Sequence, residues 1–157
     1  MKLVVQEPTI AASTEAVYRL LTEPAQFVRW MAEDATLDPR PGGLVRWTHA
    51  NGDTCRGEFV ELVPHRRVVF SYGWERAEVG VPPGSTTVEI DLDPTREGGT
   101  RLRLAHHGLP GPMAAAHNGG WRHYLDRLRR SAVGEDPGPD PFASVRVPTP
   151  TEPGMPR

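Results

Sequence analysis

The sequence predicts an α+β domain in which a curved antiparallel sheet of six to seven strands wraps around a long C-terminal helix. Residues 86–93 alternate between apolar and polar side chains, with Val88, Ile90 and Leu92 on one face, as expected of a strand that buries one side. Residues 112–133 carry apolar side chains at helical spacing, so one stripe of this helix faces a partner. Because the sheet is the only predicted partner of sufficient size, we expect helix and sheet to pack on each other.

Two short helices are predicted directly after the first strand. Residues 2–10 favour a strand that is irregular near Pro8, since proline cannot donate a hydrogen bond to a neighbouring strand. Ser13 or Thr14 can cap the helix that follows. Pro24 suits the first position of a second short helix.

Turn signals divide the middle of the chain into further strands. Asn51-Gly52 is a strong signal, because this pair readily forms a two-residue hairpin turn. Segments rich in proline and glycine mark most of the other boundaries. The strands predicted between the turns are residues 44–49, 54–63, 67–75, 85–93 and 100–107. Strands joined in sequence by such turns are typical of an antiparallel meander.

The domain is predicted to end near residue 134. Residues 135–157 contain seven prolines and few large apolar side chains. Such a composition is typical of segments that cannot bury enough apolar surface to fold. The sequence therefore predicts a ligand-binding domain at residues 1–134 and a proline-rich disordered tail at residues 135–157.

Composition and charge argue against several classes of function. The formal net charge is −2, so no basic surface for nucleic acid is expected. The N-terminal segment has only three consecutive apolar residues, and no run approaches the roughly 18 apolar residues of a membrane span. Cys55 is the only cysteine, which excludes an intramolecular disulfide and disfavours a cysteine-based metal site. We expect a cytoplasmic protein without a membrane span, a metal or a cofactor.

Several segments, in their order and spacing, resemble one family of small domains. They are residues 10–17 (IAASTEAV), 21–24 (LTEP), 38–43 (DPRPGG), 99–102 (GTRL), 106–110 (HHGLP) and 117–121 (HNGGW), together with Trp30, Gly57, Glu61, Pro64, Gly73 and Trp74. Over residues 3–130 the chain resembles the START-like SRPBCC superfamily, in particular its domains of the type activator of heat-shock-protein-90 ATPase homologue, C-terminal. The resemblance implies a helix-grip fold. It leaves the function open, since this fold hosts carriers, cyclases, hydroxylase subunits and co-chaperone domains.

Aromatic and histidine side chains are predicted to line an internal pocket between the last helix and the sheet. His117 and Trp121 lie one helical turn apart on the apolar stripe, and His106 is in phase with Leu102 and Leu104 toward the interior. Apolar walls with a few polar groups are what a lipophilic ligand requires. The predicted pocket-lining residues are Trp30, Trp47, Tyr72, Trp74, His106, His117 and Trp121. A small lipophilic molecule is therefore the partner that the sequence favours.

Three alternatives remain open at this stage. His106 and His117 can be core residues that make structural hydrogen bonds. They can instead serve with Tyr72 as acid/base groups of a cyclase- or hydrolase-type enzyme, although no catalytic residue is assigned because the chain contains none of the common catalytic motifs. The resemblance also admits a chaperone or another protein as partner, with the chain acting as a chaperone-activating interaction module. The sequence favours a binding protein over an enzyme.

Overall fold

The computed structural model describes residues 2–150, in which eight strands form one antiparallel sheet. They are β1 (Lys2–Gln6), β2 (Thr9–Ile10), β3 (Asp34–Leu37), β4 (Leu44–Thr48), β5 (Thr54–Val63), β6 (Arg67–Tyr72), β7 (Thr86–Pro94) and β8 (Thr100–Leu109). Neighbouring strands run in the order β1, β8, β7, β6, β5, β4, β3, with β2 also paired to β8. The predicted α+β class and curved antiparallel sheet are confirmed.

The first predicted strand is divided in two. Pro8 has no N–H to donate, and β1 ends at Gln6 while β2 begins at Thr9. Both pieces pair with β8, so the chain passes the proline without leaving the sheet. This division adds one strand to the six whose bounds are predicted above, and β3, which lies outside those bounds, is the eighth.

Three α-helices accompany the sheet, as predicted. The two short ones are α1 (Thr14–Thr22) and α2 (Pro24–Phe27), and the long one is α3 (Gly111–Ala132). Ser13 caps α1, because its side-chain oxygen accepts the N–H of Ala16 at 3.1 Å. The proline that begins α2 stands where a helix needs no N–H donor.

The core lies between the concave face of the sheet and α3. Val88, Ile90 and Leu92 are at most 1 % exposed, which confirms the alternation predicted for β7. The buried side chains of α3 follow the predicted stripe; they include Met113, His117, Trp121, Leu125 and Leu128. The apolar members of both sets belong to one core cluster.

The convex face of the sheet is polar. Arg67 on β6 lies between Glu61, Glu89 and Asp91, with N–O distances of 2.8, 2.9 and 2.8 Å. His107 on β8 contacts Glu89 from the other side at 3.0 Å. Glu89 and Asp91 thus point outward, as the alternation of residues 86–93 predicts.

Two glycines permit close approach between neighbouring segments at the end of β6. A Cβ atom on Gly57 would lie 1.8 Å from the carbonyl oxygen of Ser71, and one on Gly73 would lie 1.8 Å from that of Pro82. No side chain fits at either position without moving the backbone. This packing sets the path of the chain into Trp74, which follows Gly73 directly.

The segment after α3, residues 135–150, packs on the domain and is here called the strap. It contains a 3-10 turn at Pro141–Ser144, and Val147 within it is 7 % exposed. The sequence predicts a disordered tail from residue 135, and in the structure residues 135–150 pack on the domain. The physical reason is that its backbone groups are hydrogen-bonded by the domain, a contact that composition does not reveal. Residues 151–157 of the predicted tail lie outside the described residues.

Candidate ligand-binding site

A pocket lies between the concave face of the sheet, α3 and the strap. It is lined by Met31, by Trp47, His49 and Asn51 from β4 and the turn after it, by Tyr72 and Trp74 from the end of β6, by Ala116, His117, Gly120, Trp121 and Tyr124 from α3, and by Phe142, Val145 and Val147 from the strap. The free volume inside is about 50 Å³. That volume holds a few water molecules, whereas pockets for drug-sized ligands measure about 300–1,000 Å³. With the strap in place, the pocket is therefore nearly filled by the protein itself.

Three tryptophans of the pocket donate their indole N–H groups to histidines, and the first pair joins the segment after β6 to α3. Trp74 Nε1 lies 3.0 Å from His117 Nε2, and His117 Nδ1 lies 2.9 Å from the carbonyl oxygen of Met113. Because an indole N–H can only donate, His117 Nε2 accepts, and Nδ1 carries the proton that is donated to Met113. His117 is thus hydrogen-bonded to a backbone carbonyl while its ring also lines the pocket.

His106 on β8 forms the second pair. Trp121 Nε1 lies 3.0 Å from His106 Nδ1, and His106 Nε2 lies 2.8 Å from the hydroxyl of Thr86. That hydroxyl donates to the carbonyl oxygen of Tyr72 at 2.9 Å, so it accepts from His106. Burial, together with the nearby His117, lowers the pKa of His106 to about 2. The ring is therefore neutral at physiological pH.

His49, which the sequence analysis did not single out, forms the third pair. Trp47 Nε1 donates to His49 Nε2 at 3.1 Å. The other ring nitrogen lies 3.4 Å from the hydroxyl of Tyr124, which donates to Asp140 at 2.6 Å. Alternation along β4 is the signal that could have identified His49, since residues two apart in an extended chain share a face with Trp47.

Asp140 joins the strap to the rim of the pocket on α3. Its carboxylate accepts hydrogen bonds from Tyr124 at 2.6 Å, from His123 Nε2 at 2.8 Å and from the backbone N–H of Phe142 at 2.9 Å. Burial alone would raise the pKa of Asp140, but these hydrogen bonds outweigh it and hold the pKa well below its usual range. The carboxylate is thus ionised at neutral pH.

Five of the seven predicted lining residues surround the pocket, and two lie elsewhere. Those that surround it are Trp47, Tyr72, Trp74, His117 and Trp121. His106 lies one layer deeper, with its ring centroid 4.4 Å from that of Tyr72. Trp30 donates to the carbonyl oxygen of Leu20 at 2.8 Å and packs on Phe27, so its ring belongs to the core around α1 and α2.

Much of the lining was missed by sequence reasoning, for two reasons. The strap contributes Phe142, Val145 and Val147, and this segment was predicted to be disordered. The small residue Gly120 shapes the pocket by lacking a side chain, because a Cβ atom built there meets no atom within 4 Å.

The geometry does not favour the acid/base alternative. Both ring nitrogens of His106 and of His117 take part in hydrogen bonds, and protonation would break the bond that each ring accepts from a tryptophan. Within residues 2–150, no group of three or more His, Cys, Asp or Glu side chains is arranged to hold a metal ion. The site is instead lined by aromatic rings whose indole N–H groups are already paired.

This architecture, a curved antiparallel sheet around a long C-terminal helix with a pocket between them, defines a helix-grip domain of the START type. Residues 11–132 match the family model described as Activator of Hsp90 ATPase homolog 1-like protein, and the chain belongs to this family. The resemblance noted in the sequence is confirmed. Among residues 2–150, no helix has the length and apolar character needed to cross a bilayer.

Relatives with known structures or names support the assignment. An AHSA1-like protein of Rhizobium etli is 47 % identical, and its solution structure matches with a TM-score of 0.68 over 90 % of this chain and 88 % of that one. The human protein named activator of 90 kDa heat shock protein ATPase homolog 1 is 28 % identical over 124 residues, which cover 78 % of this chain and 35 % of the human protein. The chain therefore spans about a third of the length of the curated relatives it matches.

A third comparison concerns the fold alone. The crystal structure of DynU16, a protein in the dynemicin biosynthetic locus, is 23 % identical and superposes with a TM-score of 0.73. The match covers 87 % of this chain and 49 % of that one. The same helix-grip architecture thus occurs at low sequence identity.

Proposed function

We propose that this protein binds a small lipophilic molecule in the pocket between α3 and the sheet. The observation that carries the proposal is the pairing of three pocket tryptophans with three histidines. Each indole N–H is already paired with a histidine nitrogen, so the wall offers aromatic surface and no unpaired indole donor. Such a wall favours an apolar ligand, because binding buries apolar surface and removes water from few polar groups.

The chemistry of the wall restricts the ligand class. Trp47, Trp74, Trp121 and Tyr72 all face one space, and flat rings stack well on such surfaces. A histidine nitrogen that accepts from an indole N–H carries no proton, so the paired rings supply no counter-charge for an anionic ligand. The proposed ligand is therefore uncharged, lipophilic and at least partly planar, and it would be carried or sequestered rather than chemically changed.

Fluorescence titration with N-phenyl-1-naphthylamine, an uncharged apolar probe, tests the proposal. We expect binding in the micromolar range, about −8 kcal/mol. Gly120→Leu should abolish it, because the new side chain would extend from a position where a Cβ atom meets no atom within 4 Å. Ala115→Leu is the matched control, since it adds the same side chain to the exposed face of α3.

The outcomes of this titration separate the pocket from the rest of the surface. Loss of binding in Gly120→Leu with retention in Ala115→Leu supports the pocket. Equal binding by both variants would move the site elsewhere and end the proposal. Thermal melts of both variants check that each is folded.

A second candidate function is activation of a chaperone ATPase. The family description and the name of the human relative favour it. The measurement is the ATPase rate of a 90-kDa heat-shock protein with and without this chain. Stimulation that persists in Gly120→Leu would assign this activity to the surface of the domain and not to the pocket, and an unchanged rate would remove the candidate.

A further inference from the structure

The strap covers the pocket of the proposed ligand, and its side chains occupy part of that space. We propose that the strap is an intramolecular ligand that competes with the small molecule, so that binding requires release of residues 140–147 from the domain. This inference rests on the proposed function and concerns the regulation of the same site.

The strap contacts the pocket in the way a bound ligand would. Phe142, Val145 and Val147 contribute apolar surface to the pocket lining, and Val147 is almost fully buried. Apart from one 3-10 turn, the strap has no helix and no strand of its own. Its order depends on contacts with the domain, so it can leave without unravelling any element of the sheet or of α3.

Three polar side chains of the domain, Asn51, Asp53 and Arg76, form hydrogen bonds to the backbone of the strap and are here called the clamp. Asn51 Nδ2 donates to the carbonyl oxygen of Val145 at 2.6 Å, and Asp53 accepts the N–H of Val147 at 2.8 Å. Arg76 donates to the carbonyl oxygen of Val147. Contacts of this kind recognise an extended backbone while apolar pockets take the side chains, which is how peptide-binding grooves work.

The charged pair within the clamp stays intact when the strap leaves. Asp53 is 2 % exposed, and its carboxylate also accepts from Arg76 Nε at 2.9 Å. Release of Val147 therefore leaves no buried charge without a counter-charge, which would otherwise be strongly unfavourable. Release therefore costs the hydrogen bonds to the strap but does not leave Asp53 as an unpaired buried charge.

The strap has a second attachment to the domain, and two glycines lie near its start. Asp140 holds the start of the 3-10 turn through Tyr124 and His123 at the pocket rim. Gly134 and Gly138 both have a positive φ, of 84° and 76°, at the base of the strap. Glycine tolerates large changes of backbone angle, so the strap can swing away at these two positions.

The strap and the small molecule cannot occupy the pocket at the same time, because the pocket has too little room for both. The free volume of about 50 Å³ under the strap is several times too small for a ligand of drug size. The ligand must therefore take the volume that the strap side chains occupy. A ligand that binds only the open state has an apparent affinity reduced by the fraction of open molecules.

The test compares full-length variants in the N-phenyl-1-naphthylamine titration. Val145→Ser/Val147→Ser weakens the strap, and we expect at least a tenfold lower Kd for the probe. Val60→Ser/Val63→Ser is the matched control, because those valines are exposed on β5, and its Kd should equal that of the wild type. Asp140→Asn, which weakens the rim attachment and the cap of the 3-10 turn, should lower the Kd in the same direction.

Two further measurements report on the strap itself. In the wild type, the Val147 amide should be protected from hydrogen exchange, and saturation with the probe should accelerate its exchange. A synthetic peptide of residues 138–150 should compete with the probe for the Val145→Ser/Val147→Ser variant.

The outcomes distinguish this inference from the proposed function. Equal Kd values for the wild type and all strap variants would overturn the competition while leaving the pocket as a binding site. Stronger protection of the Val147 amide in the complex would also overturn it, because the strap would then close over the ligand. Absence of probe binding in every variant would overturn the proposed function and, with it, this inference.

Discussion

Each histidine of the Trp–His pairs acts as a hydrogen-bond acceptor toward its tryptophan, and this role depends on a neutral ring. In His106 one nitrogen accepts from Trp121 and the other donates to Thr86, so both tautomer and orientation are determined by the neighbours. Protonation would make both nitrogens donors and leave the indole N–H without an acceptor. The pairs therefore order the aromatic wall only above the pH at which the histidines take up protons.

His106 should make the stability of the domain depend on pH. Its pKa is about 2 in the folded protein and ordinarily about 6.5 in an unfolded chain, so unfolding below pH 6.5 takes up one more proton. The stabilisation is fully present above pH 6.5 and is lost as the pH falls. Between pH 6 and pH 4, this residue should lower the free energy of unfolding by about 1.4 kcal/mol per pH unit.

Urea unfolding of His106→Gln measures this contribution. Glutamine can accept and donate as the neutral imidazole does, but it does not titrate, so the variant should lose that part of the acid dependence. His107→Gln, on the opposite face of β8, should keep it because His106 is intact. Identical acid dependence in the wild type and His106→Gln would contradict the assignment.

Among single residues, the ring positions were predictable where alternation or helical spacing governs the side chain. Trp47, Trp74 and Trp121 follow such patterns, and the structure places all three around the pocket. Trp30 follows α2 in a turn, where no periodicity indicates the direction of the ring. The partner of each indole depends on contacts between distant strands and helices, which a sequence pattern does not contain.

At the scale of elements, α3 determines both the packing of the core and the space for a ligand. Gly120 weakens the helix and enlarges the pocket, two effects with opposite consequences for stability and binding. Gly57, at the β5–β6 contact, has no such freedom, because the backbone of Ser71 fills the place of its side chain. Two glycines of one chain thus have different physical roles.

Alanine substitutions should separate these roles. Gly120→Ala is expected to stabilise the domain by about 1 kcal/mol, since glycine is a poor helix former and the new methyl group meets open space. Gly57→Ala is expected to destabilise it by about 3 kcal/mol through a forced shift of β6. Urea unfolding measures both, and destabilisation by Gly120→Ala would show that the helix lacks the space the structure gives it.

The strands β7 and β8 could be predicted because burial of one face of the sheet imposes an alternation of apolar and polar residues. The long helix could be predicted because its apolar residues recur at helical spacing. The order of the strap could not be predicted. Its proline-rich composition gives no helical or strand period, and it is held mainly through backbone groups by Asn51, Asp53 and Arg76. Backbone contacts of this kind leave almost no trace in the strap's own sequence.

At the scale of the whole molecule, the protein is a helix-grip domain with an additional segment across its pocket. The domain boundary near residue 134 stays a prediction that truncation after Gly134 can test. We expect the shortened chain to fold, with a free energy of unfolding lower by about 1–3 kcal/mol. This value is the free energy gained by burying one or two apolar side chains such as Val147, reduced by the entropy lost when the strap is ordered. Urea unfolding and circular dichroism measure this, and an unfolded fragment would show that the strap is part of the core.

The most direct test of the ligand site uses the four tryptophans as reporters. The indole N–H signals of Trp47, Trp74 and Trp121 come from the pocket, whereas that of Trp30 comes from the core around α1. In two-dimensional ¹H–¹⁵N NMR spectra, assigned with single Trp→Phe variants, titration with N-phenyl-1-naphthylamine should shift the three pocket signals and leave the Trp30 signal in place. A probe that shifts Trp30 alone, or that saturates the protein without moving any of the three pocket signals, would contradict a ligand site between α3 and the sheet.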